Sequence, residues 1–402
     1  MLIKDFETFV VANPPPRFGG RYFVFIKLVT DTGIVGYGEV YCATFSARTV
    51  ETMLKDTAER YVIGHDPFHI ETLWRRVYGS GYNLRPDVSL VSVLSGLEMA
   101  CWDIVGKACD KPAYELLGGK IHDRLRSYTY IYPESGDVYP VGDDPDHVYV
   151  NPYRAAERAL DYVAMGFSAV KFDPAGPYTV FDGGMPTGQE LERSVEFMRL
   201  IREAVGGRVD LLFGTHGQFS TAGAIRLARQ IEPYDPLWFE EPVPPDNTAQ
   251  MARVARATSI PVATGERLCT KFEFARVLED RAAAILQLNL GRVGGLLEAK
   301  KIASMAEVHY AQIAPHLYCG PIVGAANIQL ATCTPNFLIL EGIETWGGFH
   351  ADLLETRIRW EDGYVIPPVE PGLGVALNEI VARANPYTED ALHLEMGASP
   401  VR

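Results

Sequence analysis

Cysteine is scarce in this 402-residue chain: Cys42, Cys101, Cys109, Cys269, Cys319 and Cys333 stand far apart, and none forms the paired spacing of a zinc site. A secreted disulfide scaffold would be far denser in cysteine, so the pattern fits a reducing cytoplasm. Basic residues are also outnumbered, 37 Lys and Arg against 51 Asp and Glu, for a formal charge of −14. Neutralising phosphates takes clustered cations, so nucleic acid is not an expected partner. The sequence lacks a basic-then-apolar leader at MLIKDFETFVV and no window reaches the ~20 apolar residues a membrane span needs, so neither export nor membrane insertion is expected. What is there is an ordinary globular composition, 47% hydrophobic and 22% charged. That is ample for one large domain and a smaller one.

The first stretch alternates as strands do. Tyr22–Thr30 (YFVFIKLVT), a DTG turn at Asp31–Gly33 and Ile34–Tyr41 predict a hairpin. Helical spacing follows at Arg48–Val62 and at Val88–Lys107, the latter ending near the Gly-rich stop LLGGK at Leu116–Lys120. Residues 1–125 thus read as an α+β domain.

From Arg126 the rhythm changes to short apolar strands, each followed by an amphipathic helix. The expected strands are Ser127–Ile131, Ala169–Asp173, Val209–Gly214, Leu237–Glu240, Val262–Glu266, Ile285–Asn289, Gln312–His316 and Phe337–Glu341. Helices at Thr221–Ile231, Asn247–Ala257 and Glu298–His309 fill gaps between them. Eight such units predict a (β/α) TIM-type barrel over 126–345. Two connections are long, Tyr132–Tyr153 and Pro174–Glu190, and loops at this face usually shape a substrate pocket. Residues 346–402, with a second hairpin around Trp360–Ile366, are expected to pack back on the first domain.

Polar residues recur where these strands end. Glu240, Glu266, Asn289, His316 and Glu341 are separated by 26, 23, 27 and 25 residues, one βα unit each. Parallel strands place all their carboxyl ends at one face, so these five side chains should converge on one cleft. Glu240 in LWFEEP and Glu266 in VATGER follow strands that should be buried, and a buried carboxylate needs a partner. Oxygen ligands on adjacent strand ends suit Mg²⁺, while the simpler alternative is a salt bridge, for example to Arg267. One unit before Glu240 stands Gly214, with His216 two residues on. On the preceding strand Lys171 and Asp173 share a face. Asp173 is therefore a candidate third ligand, or simply the neighbour of Lys171, and His216 a candidate ligand, proton-transfer base or structural histidine. Asn289 is placed to hold one nitrogen of His316 and turn the other toward the cleft.

At these residues the chain resembles the mandelate racemase-like branch of the enolase superfamily. LEMACWDIVGKACDKPAYELLGG (Leu97–Gly119) looks like the end of that branch's capping domain, and WFEEP, TGER, ILQLNLGRVGG and APH match its barrel motifs in order. The resemblance implies abstraction of the proton α to a carboxylate, with Mg²⁺ stabilising the enediolate. HG at His216–Gly217 and His316 resemble acid-sugar dehydratases of the galactonate and mannonate type. The implied reaction is loss of water from a polyhydroxy (sugar) acid to a 2-keto-3-deoxy acid. The alternatives are epimerisation or cycloisomerisation through the same enediolate, or a barrel that has lost catalysis. By the resemblance Glu240 and Glu266 are metal ligands, His316 and His216 proton-transfer groups, Lys171 and Asn289 further catalytic residues, and Glu341 a carboxylate-binding or electrophilic residue. Arg17, Arg21 and the loop Tyr41–Ser46 would select substrate, and members are usually symmetric homo-oligomers. Three positions depart from the pattern: Gly214 replaces a ligand aspartate, Asn289 replaces the aspartate partner of the histidine, and Asp173 replaces the second lysine of a KxK pair. The last removes the usual racemase base.

Overall fold

The computed structural model describes residues 1–82, 84–134, 138, 145–173 and 183–394. Much of both long connections, 135–137, 139–144 and 174–182, lies outside the described residues, and with it the pocket-shaping part expected of them.

β1 (Ile3–Ala12), β2 (Tyr22–Thr30) and β3 (Val35–Val40) form an antiparallel sheet in that order. The β2–β3 hairpin is the expected one. β1 was not anticipated, because Asp5 and Glu7 interrupt its apolar alternation and most of its residues are only partly buried on an edge strand. α1 (Ala47–Tyr61) and α3 (Val88–Ala108) cover the sheet, and α2 (Ile70–Tyr78) packs on α3 and α1. By length and composition α3 could cross a membrane, and Glu98 and Asp103 hide this from a search for unbroken apolar runs. It is a core helix here, buried from Val91 to Gly106. Asp87 caps it by accepting from Ser89 N and Leu90 N. β3 runs against its backbone: a Cβ at Gly38 would lie 1.8 Å from Gly96 O, so only glycine fits.

The second domain carries eight parallel strands: β4 (Leu125–Tyr130), β5 (Ala169–Phe172), β6 (Asp210–Phe213), β7 (Trp238–Glu240), β8 (Val262–Thr264), β9 (Ile285–Leu286), β10 (Gln312–Ile313) and β11 (Leu340–Gly342). They pair in chain order from β4 to β10. β11 pairs with β4, and Phe337 just before it bridges Ile313 of β10, so the eighth segment touches both the first and the seventh strand. Tyr128, Ala169, Leu212, Trp238, Ala263, Ile285, Ala314 and Ile339, one from each strand or its end, fill the interior as a single apolar cluster. Several strands end earlier than their apolar runs suggest. Regular strand geometry ends at Thr264, Leu286 and Ile313, and Glu266, Asn289 and His316 stand on the extensions just beyond, where Ala314 N still donates to Leu286 O and His316 N to Leu288 O.

The tail divides its contacts. β12 (Arg359–Glu361) and β13 (Tyr364–Ile366) form the expected hairpin, but β13 pairs with β4 of the barrel through Tyr364 and Arg126 rather than with the first domain. Further on, Tyr387 N donates to Val10 O and Ala12 N to Asn385 O, which ties the tail to β1.

Two buried carboxylates join the first domain to the barrel. Glu39 of β3 accepts from the backbone N–H of Gly320, Ile322 and Val323, at the start of the helix Pro321–Thr332. Glu98 of α3 accepts from Leu296 and Leu297 at the start of the helix Gly295–Val308, and from Trp102 Nε1. Each fills a helix amino terminus, where backbone N–H groups otherwise lack partners. Both carboxyls are pushed up to about 7, burial outweighing the amides that favour the charged form.

Candidate active site

Side chains from seven of the eight strand ends meet in one group. Lys171 points inward from β5 and donates to Glu240 Oε1 at 2.7 Å, with Glu341 Oε1 at 3.4 Å. Trp238, two residues before Glu240 on the same face of β7, donates to Glu240 Oε2 at 3.1 Å. Glu341 is anchored on its other oxygen by Leu317 N at 2.9 Å. Glu266 lies between two imidazoles: His216 Nε2 is 3.5 Å from Oε1 and His316 Nε2 is 3.1 Å from Oε2. Those imidazoles have unlike partners. His216 Nδ1 faces Asp173 Oδ2 at 3.2 Å, while His316 Nδ1 faces Asn289 Nδ2 at 3.0 Å.

Gly214 has a reason in this packing. A Cβ there would lie 3.1 Å from Cε of Lys171 and 3.2 Å from Phe172 O. The lysine side chain crosses the space that a longer residue at 214 would enter. Asp173 is not paired with Lys171, whose ammonium goes to the two glutamates. Nor does Asp173 join the cluster of ligand atoms, because its carboxylate faces His216. The cluster consists of His216, Glu240 and Glu266, whose donor atoms lie within 4.8 Å of one another. Buried Glu266 Oε2 has no aligned hydrogen-bond donor, and buried oxygens of this kind normally have a partner. The two carboxylates of this set therefore fit a divalent cation, with His216 beside them. The alternative salt bridge goes elsewhere: Arg267 pairs with Glu241 and donates to His216 O at 2.9 Å.

The charges act strongly on one another. Burial alone would raise Glu266, but His216, Lys171 and Arg267 hold it well below the usual carboxylate range. Burial would lower His216, yet Glu266, Asp173 and Glu240 carry it to about 9. His316 moves the other way, to about 3, through burial helped by the cations Lys171 and Arg292. Glu341 is pushed up to about 7 by burial, with Lys171 opposing. Such divergence among neighbouring groups is common where proton chemistry is done.

Arg292 and Trp238 were missed from the sequence. Arg292 stands three residues after Asn289 in the GRVGG turn, donates to Glu266 O at 3.2 Å and lies 4.0 Å over the ring of Tyr41. Nothing local marked it, because Tyr41 arrives from the first domain. Tyr41 belongs to the loop expected to select substrate, and its ring is 6.2 Å from that of His316. Arg17 and Arg21 lie on the turn between β1 and β2.

Comparison with known proteins agrees with this architecture. Residues 14–118 match the family model for the mandelate racemase / muconate lactonizing enzyme N-terminal domain, and residues 154–381 the model described as enolase C-terminal domain-like. D-galactonate dehydratase of Ralstonia nicotianae is 37% identical over 373 residues, covering 91% of this chain and 90% of that protein. D-xylonate dehydratase of Haloferax volcanii is 33% identical over 384 residues, covering 94% and 87%. A solved structure from Labrenzia alexandrii DFL-11, described as a candidate mandelate racemase/muconate lactonizing enzyme, is 64% identical with a TM-score of 0.95 and full coverage of both chains. The chain belongs to the mandelate racemase/muconate lactonizing enzyme family of the enolase superfamily.

Proposed function

We propose that the protein is a Mg²⁺-dependent carbon–oxygen lyase that dehydrates a polyhydroxy monocarboxylic acid to a 2-keto-3-deoxy acid. The observation that carries this reading is the pair of imidazoles on opposite oxygens of Glu266, each held by a different partner. Racemisation through one enediolate needs a proton-transfer group on each face of the α-carbon, and Asp173 stands where the racemase pattern has its second lysine. Unlike partners suit elimination better, because the α-proton must be taken while the β-oxygen must be helped to leave. The relatives named for galactonate and xylonate dehydration share the substrate class.

Glu240 and Glu266 would hold Mg²⁺, which commonly takes one or two carboxylates and keeps several waters. When bound it supplies Lewis-acid stabilisation of the charge that develops on the substrate carboxylate. Lys171, beside Glu240 and Glu341, adds a fixed positive charge on the same side, and Tyr41 with Arg292 closes the cleft from the first domain. The α-C–H bond breaks with its proton passing to an imidazole nitrogen. The β-C–O bond then breaks, and the hydroxyl leaves as water with a proton returned from the imidazolium formed in the first step. The resulting enol becomes the 2-keto acid. The widely separated cysteines suit work in a reducing cytoplasm.

The test is incubation of purified protein and Mg²⁺ with a library of aldonic acids, reading 2-keto product with semicarbazide. Turnover of at least one acid is expected. No turnover together with no α-hydrogen exchange in D₂O overturns the proposal, and exchange without keto product replaces it with isomerisation.

A further inference from the structure

The orientation of the Asn289 carboxamide fixes where His316 carries its proton. Gly291 N lies 2.8 Å from Asn289 Oδ1, and a backbone N–H can only donate, so the oxygen end of the amide is identified. The other end is an NH₂ group, a donor without a lone pair to offer. It stands 3.0 Å from His316 Nδ1 and also reaches toward His316 O at 3.5 Å and Cys319 Sγ at 3.8 Å. The backbone of His316 is held independently by Asn327 Nδ2, which donates to His316 O at 3.0 Å. Nδ1 must therefore be the acceptor nitrogen, and neutral His316 carries its hydrogen on Nε2. Nε2 is the nitrogen that faces the cleft, 3.1 Å from Glu266 Oε2 and 4.0 Å from Glu341 Oε2. Glu266 Oε2 receives no aligned hydrogen bond, so the N–H of His316 is left for another acceptor in the cleft.

We propose that Asn289 is a positioning residue that holds His316 as a neutral Nε2–H donor, so that His316 serves the reaction as a hydrogen-bond donor to the departing β-oxygen of the substrate and is not the base. A neutral imidazole can donate to an oxygen that gains negative charge without losing its proton. The contrast is with His216, whose Nδ1 faces the carboxylate of Asp173, an acceptor. That pairing keeps hydrogen on Nδ1, so Nε2, 3.5 Å from Glu266 Oε1, is the nitrogen of His216 that exchanges a proton in the cleft, which leaves acceptance of the α-proton to His216. The assignment of roles rests on the dehydratase reading, whereas the tautomer of His316 does not.

Two measurements separate them. Long-range ¹H–¹⁵N correlation spectra of histidine-labelled full-length protein, with His316 identified by His316→Gln, report the tautomer without substrate. Hydrogen on Nε2 is expected, and Asn289→Asp should move it to Nδ1. Hydrogen on Nδ1 of the unaltered protein overturns the proposal even if the dehydratase reading stands. With any acid that the protein turns over, His316→Gln should retain α-hydrogen exchange in D₂O within about 10-fold while dehydration falls by about 10²-fold or more. His216→Asn should abolish exchange. Loss of exchange in His316→Gln with exchange kept in His216→Asn overturns the role assigned to His316.

Discussion

Buried glutamates serve two regions of this molecule in opposite ways. At the seam between the domains, Glu39 and Glu98 accept from backbone N–H groups, Glu98 also from the Trp102 indole, and among the described residues neither pairs with a basic side chain, each filling a helix amino terminus. In the cleft, Glu240 and Glu266 face an ammonium, an indole and two imidazoles, and one oxygen of Glu266 lacks an aligned donor. The seam is satisfied and the cleft is not. Unsatisfied groups held in place by their surroundings are what a reacting molecule can engage, and they commonly lower stability in exchange for activity.

The largest expected effect lies in the cleft. Glu266→Gln should lower turnover by about 10³-fold, the scale of removing a preorganised electrostatic group, while the thermal midpoint stays level or rises. A fall of more than a few degrees in differential scanning calorimetry would place Glu266 with the structural carboxylates instead. At the seam the order reverses. Glu39→Ala removes the acceptor of three amides, each costing about 1–3 kcal/mol when left bare, so a loss of about 3 kcal/mol or more is expected in urea unfolding. Unchanged stability would show that water replaces the carboxylate without difficulty.

Acidity sharpens the contrast. Glu39 and Glu98 sit at about 7 in the folded chain, above the ordinary 4.5. The folded state then binds more protons than the unfolded one between those values, so their contribution is fully present below about pH 4.5 and is lost as pH rises through about 7. The loss is at most about 3 kcal/mol for each group. Urea unfolding of the unaltered protein and Glu39→Gln at pH 5 and pH 8 measures it. The stability of the unaltered protein relative to the variant should fall between the two, and a constant difference contradicts the assignment. The smallest effect concerns Gly214. Gly214→Ala should cost about 1 kcal/mol by crowding Lys171, and less when Lys171 is itself shortened to Ala. Equal costs in both backgrounds would mean that the two positions are independent.

The barrel was legible because its signal repeats. Apolar runs recurring at one βα unit, each closed by a polar residue, located all eight strands and brought Glu240, Glu266, Asn289, His316 and Glu341 to one face. Strand ends were less legible: Asn289 and His316 continue apolar runs in sequence, and although regular strand geometry ends at Leu286 and Ile313, backbone hydrogen bonds run on to His316 N, which donates to Leu288 O. Contacts that cross between domains left no trace of period. Glu39 meets Gly320 from 281 residues away, and Arg292 meets a tyrosine from the first domain, so neither could be read from neighbours along the chain. Asp173 was found as a cleft residue, but whether it faced metal, lysine or histidine depended on side-chain directions that strand alternation alone does not supply.

The two seam glutamates also bear on how new specificities could be built from this scaffold. Glu98 lies where a Cβ on Gly295 would be 2.1 Å from its Oε2, and Glu39 where a Cβ on Gly320 would be 2.6 Å from its Oε1. Each carboxylate and its glycine make a plug and socket. A first domain transplanted from a relative, carrying its own substrate-reading loop, would seat on this barrel only if it brought both plugs in register with both sockets. Loop exchange within the first domain leaves that fitting intact, and is the more practicable route to a changed substrate.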